Sequence, residues 1–392
     1  MDELPEELLD HIISEAVKPL PGRQGAYYHD LLSVCLVSPS RHGFLYRDLL
    51  SLSLVSRKFH RLTEPYLYHS VMLSENNERR FLHTTEAHTE LSRHTRELFI
   101  INSQDIARDV LRLAARLPRM RKLDLDMTSW KLSHLLPVLQ LPSIIELRLS
   151  GVEARHIAQP SSVDWAITNT SITSLDMSFS RPERWWEHCN ELWKFAAVFG
   201  GLRSLSAHSD YEVVHTDILS GPVFRCLVDA FKHAFETSLR SFRFGYNDLN
   251  HDQAYEGDLD ISDAFDAREI LKQSHLEHLT IDTMCLHRPR RNDNLRSLDL
   301  APSSLPSSLR TLYLRHVVAI GNLNPTERNL MHSDEAQCLS QLVNLGTRKA
   351  RFPRLEKMTL AIFLPAFFED VALRILKVQA RKVKLQLELM LM

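Results

Sequence analysis

Glycine, cysteine and charge of one sign are all scarce in this chain, and each shortage removes a class of chemistry. The 392 residues hold 11 glycines, and none forms a GxxxxGK, GxGxxG or GxSxG motif. The tight turns that cradle phosphate or present a serine nucleophile are therefore missing, and nucleotide chemistry has no local support. Five cysteines, Cys35, Cys189, Cys226, Cys285 and Cys338, lie far apart with no Cys-x-x-Cys pair. That excludes the common zinc and redox arrangements, and an odd set of scattered thiols suits a reducing compartment. Lys plus Arg number 47 against 49 Asp plus Glu, a net charge of -2, so no electrostatic case exists for nucleic acid or an anionic membrane as partner. No apolar run approaches a membrane span. The acidic start MDELPEELLD lacks the positive region and apolar core of a secretory signal, and the expectation is a cytoplasmic or nuclear protein.

Histidine, by contrast, is plentiful at 20, yet its closest pairs, His83 with His88 and His275 with His278, do not match His-Glu-x-x-His. They are expected at the surface or in packing roles, not as metal ligands. The acidic stretch NDLNHDQAYEGDLDISDAFD, which begins at Asn247 and carries Asp248, Asp252, Glu256, Asp258, Asp260, Asp263 and Asp266, departs from calcium-loop spacing and reads as a solvated loop. The basic turn HRPRRN at 287–292 reads likewise as a solvated face. No metal, cofactor or catalytic residue is expected.

What the chain does contain is a repeat. The template apolar-x-x-apolar-x-apolar recurs as MRKLDL from Met120, IIELRL from Ile144, ITSLDM from Ile172, LRSLSA from Leu202 and LRSFRF from Leu239. It continues as LEHLTI from Leu276, LRSLDL from Leu295, LRTLYL from Leu309 and LEKMTL from Leu355, with TRELFI from Thr95 a weaker tenth copy. Each copy ends in strict alternation, which puts leucines on one face of a strand and polar residues on the other. Several connecting segments read as helices. RWWEHCNELWKFAAVF from Arg184 has a stripe of Trp186, Leu192, Trp193, Ala196 and Phe199, stopped by Gly200 and Gly201; SDEAQCLSQLVNLG runs from a cap at Ser333 to Gly346. Strand, return segment and next strand, repeated, form the unit of a leucine-rich-repeat solenoid, an α/β parallel-strand horseshoe.

Its repeat is irregular. Successive starts differ by 14 residues between Leu295 and Leu309 and by 46 between Leu309 and Leu355. The short step leaves no room for a helix, so PSSLPSS is expected to return as an extended or short helical segment. KVKLQLELMLM alternates Leu385, Leu387 and Leu389 against Lys384, Gln386 and Glu388 and reads as a closing strand.

Ahead of the repeats, LPEELLDHIISEA (4–16) has the marks of an amphipathic helix. Pro5 pre-sets the first turn, Glu6 and Glu7 favour its positive end, and Leu8, Leu9, Ile12, Ile13 and Ala16 form the stripe. A second run, Asp48 to Val71, places Leu52, Val55, Phe59 and Leu62 at helical spacing, with Pro65 ending the element. By themselves these stripes also suit a cap for the open end of a repeat array.

Leu-Pro with a Glu-Leu helix, then a Leu-rich run into Val-Ser-Arg and an aromatic residue, resembles the F-box, and the whole chain resembles F-box proteins with C-terminal leucine-rich repeats. The resemblance implies an F-box-like helical docking segment over 1–70, with an insertion near 17–47 where the family has a short turn, and a solenoid over 71–392. It implies docking on the Skp-type adaptor of a cullin-RING ubiquitin ligase through Leu4, Pro5, Leu8, Leu9, Ile12, Val55 and Phe59. Within the insertion, HDLLSVCLVS from His29 nearly duplicates RDLLSLSLVS from Arg47; only the second copy continues into RKFHRLTEPYLY and takes the docking role.

The expected function is thus a non-catalytic substrate-recognition subunit of an SCF-type ligase, with no bond chemistry of its own. The alternative is a leucine-rich-repeat interaction or regulatory protein acting outside a ligase. In either case alternation nominates the polar side of the strands as the surface for a protein target: Asp124, Asp126, Arg148, Asp176, Arg243, Asp282, Asp299, Tyr313 and Arg315.

Overall fold

The computed structural model describes residues 5–17, 48–74, 77–101, 113, 116–127, 131–153, 168–181, 189–209, 221–246, 264–282, 305–316, 351–362, 378, 380–382 and 384–391. Leu4, the insertion beyond Val17, the copy at Leu295 with Asp299, the basic turn at 287–292 and the helix expected from Ser333 all lie outside them. The chain forms two compact units, Met1–Gly151 and Val152–Met392.

The first unit opens with helices α1 (Glu6–Val17), α2 (48–53) and α3 (Arg57–Leu67). Pro5 stands at the start of α1, and its carbonyl accepts from the amides of Leu8 and Leu9, each at 3.2 Å. The apolar stripe divides along two ridges. Leu9 and Ile13 point inward, and Ile13 meets Leu49 of α2 and Leu67 of α3 in a small core flanked by Leu62, Tyr66 and Tyr68. Leu8 and Ile12, one step round the helix, remain outside. Polar contacts tie α1 to α3 as well: Arg61 pairs with Glu6, and the Tyr66 hydroxyl donates to Asp10 Oδ1 at 3.0 Å. Burial, followed by the bond to Asp10, raises the Tyr66 phenol above its ordinary range.

The Val-Ser-Arg step has a local cause. Ser56 is extended, at φ -159° and ψ 164°, and its hydroxyl accepts from the Phe59 amide at 3.2 Å. It is the N-cap of α3, so the expected single run is two helices broken at Ser56. Pro65 does not end the second one. It sits inside α3, which continues to Leu67; the ring removes one amide donor but falls in the last turn, where the helix is stopping anyway.

Each copy of the repeat that is described becomes a strand, and within each unit successive strands pair in parallel. Those that begin in the first unit are β1 (Ser70–Leu73), β2 (Glu97–Ile100), β3 (Lys122–Asp126) and β4 (Glu146–Glu153). Leu98, Leu123 and Leu147 stand in register, as do Ile100, Leu125 and Leu149. Helix α4 (Glu78–Ala87) and the short α5 (Leu136–Leu139) lie in the connections. β1 was not foreseen, because SVML lacks the template. α3 packs on β1, and the N-terminal helices and first strands lie in one compact unit.

The second unit contains β5 (Ser174–Arg181), β6 (Ser204–Ser209), β7 (Ser241–Tyr246), β8 (His278–Asp282), β9 (Thr311–His316), β10 (Lys357–Ile362) and β11 (Gln386–Leu391), ordered in space as in sequence. Leu175, Leu205, Phe242, Leu279, Leu312 and Met358 form one core row, all buried. β8 hydrogen-bonds directly to β9. The step from Leu276 to Leu309 is then 33 residues, close to the 37-residue steps before it, and much of the apparent irregularity disappears. Before β9 the described return, 305–310, is a turn without a helix, as expected.

Helices α6 (Cys189–Ala197), α7 (Gly221–Ala230), α8 (Lys232–Thr237) and α9 (Ala264–Gln273) lie between these strands. On α6 the buried stripe is Leu192, Phe195 and Ala196, continued by Phe199 just beyond the helix, whereas Trp193 is exposed. Gly201 is required where expected, for a packing reason: a Cβ there would lie 2.6 Å from the Thr170 carbonyl oxygen. α9 begins inside the tail of the acidic stretch, so its last residues are helical and not loop. Cys226 on α7 is buried and disulfide-bonded, which corrects the reading of five scattered thiols.

The chain enters β11, the expected closing strand, through Lys384 at φ 54°. The Lys384 amide donates to the Arg381 carbonyl at 3.2 Å and the Leu385 amide to the Ala380 carbonyl at 3.0 Å. This is the Schellman turn, whose left-handed residue is usually glycine. Lys384→Gly is expected to stabilise the protein by about 1 kcal/mol, measured as a higher denaturant midpoint at unchanged slope. A lower midpoint would mean that the lysine side chain contributes more than its backbone costs.

Candidate binding surfaces

Two surfaces combine exposure with the sequence features that drew attention to them. The first is on the N-terminal helices. Leu8, Ile12, Leu50, Leu54 and Val55 are 45 to 79% exposed, while Leu9, Ile13, Leu49, Phe59 and Leu67 are at most 8% exposed. The internal set holds the helices together and leaves the external set free for contact. Of the residues the resemblance nominates, Pro5, Leu8, Ile12 and Val55 are thus available, and Leu9 and Phe59 are committed to the interior. Periodicity alone did not separate them, because adjacent ridges of one helix carry the same residue types.

The second surface is the side of the strands opposite the leucines. Every described nominee lies on it, but its members differ in availability. In the first unit, register sets Asp124 against Arg148 and Asp126 against Ser150. All four are buried, with Arg148 Nε 3.6 Å from Asp124 Oδ2 and the Ser150 hydroxyl donating to Asp124 Oδ1 at 3.2 Å. Buried charges persist only when paired. Asp124 and Arg148, expected as target contacts, therefore bind each other, and Asp126 is buried with them.

In the second unit the middle row of this face runs Asp176, Ser206, Arg243, Thr280, Tyr313, Thr359 and Glu388 across β5 to β11. Asp176 Oδ1 lies 3.3 Å from Nδ1 of His208, which is buried. Arg243 is exposed, and Tyr313 is half-buried. Asp282 and Arg315 share a register position on β8 and β9. Lys357 Nζ is 2.8 Å from Glu388 Oε1, and this bond above all, with a further one from Thr359 at 3.3 Å, holds the Glu388 carboxyl below its usual range.

Sequence reasoning missed Ser150, Ser178, His208 and Thr359, which are buried on this face. Following the alternation one step further along the strand would have found Ser150, Ser178 and His208, and Thr359 stands in register with Tyr313 inside its own copy. It also missed the charges at the strand entrances, where Glu277 lies 3.9 Å from Arg240 and 3.3 Å from Arg310 and braces β7, β8 and β9. Among the described residues no group of three His, Cys, Asp or Glu is placed to hold a metal ion, and no helix is long and apolar enough to cross a membrane. A scan against protein-family models finds no match, and no curated protein matches the sequence.

Proposed function

We propose that this protein is a substrate-recognition subunit of an SCF-type cullin-RING ubiquitin ligase: an F-box-like helical segment docks on the Skp-type adaptor, and a leucine-rich-repeat solenoid presents its polar strand face to a target protein. The observation that carries the reading is the division of the N-terminal stripe. The helices close a core of their own, yet keep Leu8, Ile12 and Val55 exposed within the Leu-Pro and Val-Ser-Arg pattern. Apolar side chains so placed gain by being covered, each by about 1.5 to 3 kcal/mol when fully buried. The ligase contribution is positional. Tethering a target beside a charged ubiquitin-conjugating enzyme raises the effective concentration of its lysines, and this chain performs no bond chemistry.

The test is capture of the full chain by purified Skp-type adaptor. Ile12→Ala and Val55→Ala are each expected to weaken capture about tenfold without changing the circular dichroism, since neither side chain belongs to the core. If the intact chain is not captured, the ligase reading fails and an interaction protein outside a ligase takes its place.

A further inference from the structure

On the polar face of the second unit, Arg243 is a cation with no side-chain partner among the described residues. Arg148 is held by Asp124, and Arg240 and Arg310 share Glu277. Arg243, in the middle of β7, is exposed and makes no hydrogen bond or ion pair among the described residues. Register places Ser206 of β6 on one side of it and Thr280 of β8 on the other. Both are half-buried, and neither hydroxyl is engaged among the described residues. Adjacent strands are about 4.8 Å apart, so a guanidinium fork and two flanking hydroxyls face one small volume above the sheet.

We infer that the Ser206–Arg243–Thr280 rung is a seat for a single carboxylate, an Asp or Glu side chain of a target segment laid across β6, β7 and β8. The guanidinium matches the two oxygens of a carboxylate in a bidentate pair, and each hydroxyl has a donor to spare for one of them. Charge decides between a carboxylate and a phosphate. One uncompensated cation balances a charge of -1. A phosphorylated side chain brings about -2, which Arg243 alone would leave half unbalanced, and Asp176 stands in register beside Ser206 on the same face, where further negative charge is disfavoured. A basic segment is disfavoured by Arg243 itself, and an apolar one would cover three polar groups without satisfying them.

The inference rests on the reading that the polar strand face takes the target, and its test is independent of adaptor docking. The labelled full chain is applied to an array of immobilised twelve-residue peptides with one fixed position, Glu, Asp, phosphoserine, Lys or Ala, and mixed residues elsewhere. Glu and Asp spots are expected to retain about tenfold more protein than Ala or Lys spots. Arg243→Gln should erase that preference while leaving circular dichroism and adaptor capture unchanged, and Arg243→Lys should keep part of it. Equal retention on Glu and Ala spots, a preference that survives Arg243→Gln, or phosphoserine spots that exceed Glu spots would each overturn the assignment. Loss of adaptor capture by the intact chain would leave the array result standing and count only against the ligase reading.

Discussion

Phe242→Ala is expected to destabilise the protein by about 3 to 5 kcal/mol, the range for an aromatic ring removed from a packed core. Phe242 is 1% exposed and occupies the second-unit core row between Leu205 and Leu279. The Phe235 ring lies edge-on to it with centroids 4.9 Å apart, and the Phe244 ring is stacked at 6.3 Å. Phe224 also meets both strand rings, at 6.3 Å and 5.0 Å. Alanine would leave a void bounded by α7 and α8 on one side and the neighbouring strands on the other, neither free to close in. Thermal unfolding should shift downward by about 10 °C for a unit of this size. Trp193→Ala, an equally large deletion at a residue 53% exposed, should change stability by no more than about 0.5 kcal/mol. A Phe242→Ala loss below about 1 kcal/mol would mean that the rings do not pack as described.

The second large effect belongs to the polar face of the first unit. Arg148→Ala leaves the Asp124 carboxylate buried with its cation removed, and breaking a buried pair from one side costs about 3 to 5 kcal/mol. Removing both charges tests the cause. Asp124→Leu with Arg148→Met removes both members of this pair, so part of the loss should return, and the double-mutant cycle should give a coupling of more than about 1 kcal/mol. Additive losses, measured by denaturant unfolding, would show that the two side chains act separately. A loss for Arg148→Ala below about 1 kcal/mol would show that Arg148 is solvated and free to meet a target after all.

How much of this was legible in the sequence follows from the physics of each signal. A strand with one buried face announces itself by alternation, so LRSLSA, LRSFRF and LEHLTI gave β6, β7 and β8 with the correct face inward. The template cannot say which copies pair. The copies at Leu276 and Leu309 are 33 residues apart, yet β8 bonds directly to β9, because pairing is decided by the course of the return and not by the strand residues alone. β1 escaped notice for the converse reason: SVML carries few leucines, and its place comes from Leu98 and its neighbours on β2. The polar face was located correctly, but its energetics were not. Whether Asp124 and Arg148 meet each other or a partner depends on register across two strands, which alternation within one strand does not contain. The same gap explains why Leu9 and Phe59 were grouped with Leu8 and Val55.

The sequential order of the strands also governs how damage spreads. Among the described residues each strand is bonded only to the strand before it and the strand after it, so no described strand of the second unit is braced by a distant strand through the sheet. Stability in such an array is close to a chain of nearest-neighbour terms. A lesion at one rung exposes the leucines of the next and is passed along the row, so the unit tends to fray from a weak rung or an open edge instead of failing everywhere at once. An inner strand such as β7 has two neighbours to lose, and β11 has one. A target bound across several rungs would join strands that the sheet links only in series, and its binding energy would be felt as resistance to that fraying.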